Sequence, residues 1–127
     1  MILLDTGVAI NLRDQHEPTR QRLRERSSDP RISIITQVEL AAGLHRKDAD
    51  ERRAMRLAVL LRGVTVLPFT VAEAAVYARI LAVAGFSRRK LLDRLIAATA
   101  VANEVPLATV NPDDFADVPD LEIEDWR

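Results

Sequence analysis

The chain has 127 residues, a formal net charge of −1 and no cysteine. That length suits one hydrophobic core and not two, and the missing thiols exclude a disulfide framework and thiolate metal sites. His16 and His45 stand too far apart for a local zinc motif, so any metal here would be held mainly by oxygen.

Residues 2–5, ILLD, read as a short buried strand closing on Asp5. A helical stretch follows from Val8, and a second one, EPTRQRLRERS over 17–27, turns its charge outward. ISII, 32–35, is β-branched apart from its serine and reads as the second strand. TQVELAAGLHR follows directly as a helix, and its Thr36 and Glu39 make a Thr-x-x-Glu capping pattern. DADERRAMRLAVLLRG, 48–63, is a further helix with Ala54, Leu57, Ala58 and Leu61 as its apolar stripe. VTVLPF is the third strand, ended by Pro68. Two strong helices, 70–85 and 87–104, are separated by Gly85 and opened by Thr70 and Ser87 as expected N-caps. VPLATV is a fourth strand and LEIE, near the end, a fifth. No apolar run approaches the ~20 residues of a membrane span, and MILLDTG lacks the basic region of a signal peptide. A cytoplasmic protein is the expectation.

Strands alternating with helices predict an α/β fold: an open, mostly parallel sheet of four to five strands, covered on both faces through right-handed crossovers. Ligands in such sheets bind at the C-terminal strand edge. Acids fall there repeatedly. Asp5 closes the first strand, Glu39 lies in the first turn after the second, and Asp113 and Asp114 follow the fourth. Asp93 reaches the same edge if its helix begins beside it.

Each acid also has a purely structural reading. Asp5 suits an N-cap, Glu39 completes the capping box with Thr36, and NPDDF is a ready helix start with Asn111 as cap. Asp93 lies a turn or more inside its predicted helix, where a cap role is awkward; its alternative is exposure beside Arg89 or Arg94. Taken together, four acids at one sheet edge would raise one another's pKa values unless a cation neutralised them. With neither Cys nor paired His at hand, all-oxygen ligation favours Mg²⁺ or Mn²⁺ over Zn²⁺. Charge is unevenly spread: residues 1–110 hold 17 Arg and Lys against 12 Asp and Glu. That excess is nearly all arginine, which grips phosphate bidentately, and equally suits a solvated helical surface.

MILLDTGVAI, ISIITQVELAAGL, LLDRLIAATAV, PLATVNPDDF and the closing LEIEDWR together resemble a PIN-domain ribonuclease, specifically the VapC-type toxin of a toxin–antitoxin pair. The resemblance runs from Met1 to Arg127 with the motifs in order. It implies a single PIN-like domain over 1–127, a three-layer fold, and Mg²⁺- or Mn²⁺-dependent endoribonuclease activity. It further implies a cognate VapB-type antitoxin as partner and a homodimer, with no membrane association. The family's acidic motif positions fall on Asp5, Glu39, Asp93 and Asp114, the expected catalytic and metal-holding residues. Thr6 and Asn111 fall where a supporting or substrate contact is expected. The chain departs from the family pattern at Gly7, where Asn or Ser is common, at Val110, where many relatives have Arg, and at Asn111, where several have Asp.

Two other readings compete. A receiver-type phosphoacceptor domain also gathers acids and Mg²⁺ at a sheet edge, but it needs a lysine after a late strand, and neither Lys47 nor Lys90 is so placed. A non-catalytic partner-binding module would use the same acids as caps and as a docking surface.

Overall fold

A computed structural model describes residues 1–26 and 29–127. Five strands, β1 (Ile2–Leu4), β2 (Pro30–Ser33), β3 (Thr65–Leu67), β4 (Leu107–Thr109) and β5 (Ile123–Asp125), form one sheet in the order β3-β2-β1-β4-β5. Every neighbouring pair is parallel, so all five strands end at one edge. β1 sits at the centre, with Leu3 in register with Arg31 on one side and Leu107 on the other. A central parallel strand is covered on both faces, which is why β1 is wholly apolar and its three residues are fully buried.

Six helices supply the cover: α1 (Thr6–Arg13), α2 (Glu17–Arg26), α3 (Ile34–Gly43), α4 (Glu51–Gly63), α5 (Val71–Ala84) and α6 (Leu91–Ala102). The alternation of side chains along β1 divides the core in two. Leu3 packs with Ile80 of α5, Ile96 of α6, Leu107 and Phe115. Ile2 and Leu4 point the other way, toward Val8 of α1, Leu40 of α3, Leu57 of α4 and Trp126. The chain passes from β1 to β2 on one side and later returns to β4 on the other, so its direction of winding reverses between β1 and β4. Open α/β sheets bind their ligands at such a reversal.

Several element ends differ from the sequence reading. Ile34 and Ile35 belong to α3 and not to the second strand, because Ser33 takes the N-cap and its hydroxyl accepts from the Ile35 N–H at 3.1 Å. The helix therefore starts before Thr36, and the Thr36–Glu39 capping box does not form. At α5 the equivalent pattern does form, with Thr70 and Glu73 satisfying each other's backbone groups. α6 starts at Leu91, four residues later than expected. Ser87 still accepts a backbone N–H, that of Lys90, but it closes a separate turn ahead of the helix. The expected second helix ends at Arg26 within the described residues, and its last predicted position, Ser27, lies outside them. Among the described residues no helix is long and apolar enough to cross a membrane.

Candidate functional site

Asp5 is the residue after β1, and it is buried to 7% exposure at the strand's C-terminal end. It caps α1 as expected, its Oδ1 accepting from the Gly7 N–H at 2.5 Å. Its other oxygen accepts from the hydroxyl of Thr109, the last residue of β4, also at 2.5 Å. Both carboxylate oxygens are thus pinned, one by the helix it opens and one by the neighbouring strand. Burial pushes the Asp5 carboxyl up, against the pull of these hydrogen bonds, and the charge of Asp114 adds to the rise.

Glu39 comes from the second turn of α3. Because the capping role belongs to Ser33, Glu39 is free to turn toward α1, where the Thr6 hydroxyl donates to its Oε1 at 2.7 Å. Thr36, fully buried one turn earlier, places its own hydroxyl 3.1 Å from that of Thr6. The expected cap Thr36 thereby becomes part of a chain of hydroxyls that leads from the Asp5–Thr6 corner to Glu39.

Asp93 lies in the first turn of α6, not a turn or more inside it. α6 leads back to the start of β4, so its N-terminus lies at the sheet edge where the strands end. Arg94, offered by the sequence as a partner for Asp93, turns instead to Asp117 at 2.9 Å. Burial pushes the Asp93 carboxyl up to about 6, and the charges of Asp5, Asp114 and Glu39 push in the same direction, with Lys90 opposing them. The positive end of the α6 dipole offsets part of that cost.

Asp114 is carried by a short 3-10 turn, Pro112–Phe115, which follows β4 and is anchored by the buried Phe115. Its charge bears on both Asp5 and Asp93, whereas that of Asp113 is felt by Arg127, just past β5. Asn111 makes no side-chain cap bond, and its backbone N–H donates to the Thr109 hydroxyl at 3.0 Å. Thr109 consequently ties the turn bearing Asp114 to Asp5. The sequence reading missed this residue because a threonine at a strand end has no local pattern to mark it.

Asp5, Glu39, Asp93 and Asp114 are therefore electrostatic neighbours at one sheet edge. They are not a closed cage: among the described residues no three Asp, Glu or His side chains are drawn together tightly enough to grip an ion as they stand. Asp5 and Glu39 spend oxygens on Thr109, Gly7 and Thr6. The donor set nonetheless fits a hard divalent cation. It is all oxygen, partly desolvated and strongly anionic, with the charge of Lys90 acting on Asp93 in the opposite direction.

Two of the three departures from the family pattern, Gly7 and Val110, meet in space. A Cβ placed on Gly7 would lie 3.2 Å from Cγ2 of Val110, so the valine methyl occupies the room that a longer side chain at position 7 would need.

The PIN domain family model matches residues 2–121. Two curated relatives are Ribonuclease VapC of Rickettsia bellii, 35% identical over 72% of each chain, and Ribonuclease VapC1 of Rickettsia felis. The second is 31% identical over 96% of this chain and 93% of its own. Among solved structures, VapBC2 from Rickettsia felis bound to a DNA fragment from its promoter superposes with a TM-score of 0.87 at 25% identity, covering 100% of both chains.

Proposed function

The chain belongs to the PIN-domain family, and we propose that its acidic edge is the metal-dependent centre of a VapC-type toxin endoribonuclease. The activity is hydrolysis of RNA phosphodiester bonds, held in check by a VapB-type antitoxin. One observation carries the assignment of the site. The Asp93 carboxyl rises to about 6 through burial and through the charges of Asp5, Asp114 and Glu39, three acids brought from three other parts of the chain. An arrangement that costly persists where a cation relieves it.

Asp5, Glu39, Asp93 and Asp114 would hold Mg²⁺, or Mn²⁺ in its place. When bound, such an ion polarises the phosphate and lowers the pKa of water toward neutrality. The chain's own groups do the rest. Gly7 and Thr109 fix both oxygens of Asp5, so its carboxylate presents one orientation to a ligand. Thr6 orients Glu39 from across the edge. Water adds to phosphorus and gives up a proton to solvent, the ester bond to the leaving oxygen breaks, and that oxygen takes a proton from solvent. The carboxylates would hold the cation that balances the charge developing on phosphate. The arginine excess of residues 1–110 supplies attraction for the polyanion. Association as a homodimer belongs to the same reading.

The test is cleavage of a structured RNA by protein freed of antitoxin. Cutting should require Mn²⁺ or Mg²⁺, stop with EDTA, and fall by about a hundredfold or more in Asp5→Asn or Asp93→Asn, the scale expected when a charge-stabilising group is lost. Unchanged cutting in EDTA would overturn the metal role, and unchanged cutting by both variants would overturn the residue assignment.

A further inference from the structure

Arg94 is the least expected charge in the molecule. It follows Asp93 in the first turn of α6, yet it is only 3% exposed. One of its terminal nitrogens donates to the carbonyl of Gly85, the residue that ends α5 with a positive φ of 77°. The other donates to Asp117 at 2.9 Å. Its Nε is buried with no partner. Lys90, just ahead of α6, reaches the same Asp117 oxygen at 3.3 Å.

Asp117 lies three residues after Asp114, on the stretch that leaves the 3-10 turn. The guanidinium therefore joins three segments: the end of α5, the start of α6 with Asp93, and the chain just beyond Asp114. Burying a guanidinium is expensive, and an apolar residue of similar volume usually serves a core as well or better. A partly unsatisfied buried arginine therefore contributes little net stability. What it does contribute is a fixed geometry, since its planar fork accepts few arrangements of its two acceptors.

We propose that Arg94 is a positioning residue of the nuclease centre: by bridging Gly85 and Asp117 it holds the segments that carry Asp93 and Asp114 beside each other at the sheet edge. This rests on the metal-dependent reading above. It concerns how two of the acids are held, and Arg94 itself touches neither the ion nor the RNA.

The experiment is Mn²⁺ binding to RNA-free protein, followed by the loss of free-ion electron paramagnetic resonance signal, alongside thermal melting. Parent protein, Arg94→Met and Asp117→Ala are compared. Arg94→Met should melt within a few degrees of the parent in EDTA and bind Mn²⁺ at least tenfold more weakly. Asp117→Ala removes the acceptor of the same bridge from the half-exposed side, keeps the core intact, and should weaken Mn²⁺ binding in the same direction. If Arg94→Met fails to fold, the Asp117→Ala result decides. Parent-like Mn²⁺ affinity in the variants that fold would overturn the positioning role and leave the nuclease reading standing. Absence of Mn²⁺ binding by the parent would overturn both.

Discussion

Thr6 donates its hydroxyl to Glu39 at 2.7 Å across thirty-three positions of sequence, joining the first helix to the third at the edge where the strands end. Replacing the hydroxyl by a methyl, Thr6→Val, leaves the half-buried carboxylate of Glu39 without that donor. The expected cost is about 1 kcal/mol in stability, the usual net worth of such a bond. Cleavage should fall about tenfold, because about 1.4 kcal/mol of lost preorganisation is a factor of ten in rate. Thr6→Ser should retain most of both. Denaturant melts and single-turnover cleavage with Mn²⁺ check this, and a Thr6→Val protein as active as its parent would remove Thr6 from the site.

The carboxylate of Asp93 makes the metal-free fold sensitive to pH. Its folded pKa of about 6 lies above the ordinary 3.8, so between those values the native state binds more protons than the unfolded chain. Stability from this group is therefore fully present below about pH 4 and is lost as pH rises toward 6. The amount is about 1 to 2 kcal/mol once solvent screening of a partly exposed group is allowed for. Asp5, also raised, acts in the same direction. Other carboxylates, such as those of Glu73 and Asp117, are lowered and act in the opposite sense. Urea melts in EDTA should therefore show the parent losing stability relative to Asp93→Asn between pH 4.5 and 7.5. Without metal at pH 7.5 the variant should be no less stable than the parent, while Mg²⁺ should raise the parent's Tm more. A parent whose stability in EDTA climbs steadily from pH 4.5 to 7.5, with the same slope in Asp93→Asn, would show that the acids do not crowd one another.

Much of this arrangement was legible in the residues, and the exceptions have physical causes. β1 could be read from ILLD because a buried parallel strand needs an unbroken apolar run, and the placement of Asp5 followed from where that run stops. Ile34 and Ile35 misled, since β-branched residues favour strands on local propensity, but Ser33 supplied a helix cap that no propensity scale weighs against two isoleucines. The same residue explains why Glu39 was ambiguous: its capping partner existed in sequence but not in space. Asp93 falls a turn or more inside the helix when SRRK is read as helical, whereas Ser87 spends its cap on a separate turn. The Arg94–Asp117 and Thr109–Asp5 contacts span 23 and 104 positions, and nothing local distinguishes such pairs from solvent-facing residues.

The contact between Gly7 and Val110 predicts an energetic coupling between two of the three positions at which the chain departs from its family's pattern. Gly7 lies in the first turn of α1, where alanine is favoured over glycine by about 1 kcal/mol on helix propensity alone. Its new Cβ, however, would lie 3.2 Å from the Val110 methyl and 3.4 Å from the Asp5 oxygen that receives the Gly7 N–H. Propensity and crowding oppose each other, so Gly7→Ala should change stability by less than about 1 kcal/mol. Val110→Ala alone removes a half-buried side chain that packs against the α1 face of the core, and should destabilise by about 1 kcal/mol. In the double variant the methyl is gone and the alanine at position 7 keeps its helical advantage. It should therefore be more stable than the sum of the single effects predicts, by about 0.5 to 1 kcal/mol, the range for residues in direct contact. Cleavage discriminates further: if the clash with the Val110 methyl shifts the Asp5–Gly7 turn, Gly7→Ala should lower the rate and Val110→Ala should restore it. Strict additivity of the two changes, in stability and in rate alike, would mean that the valine yields freely and that the two positions are not coupled.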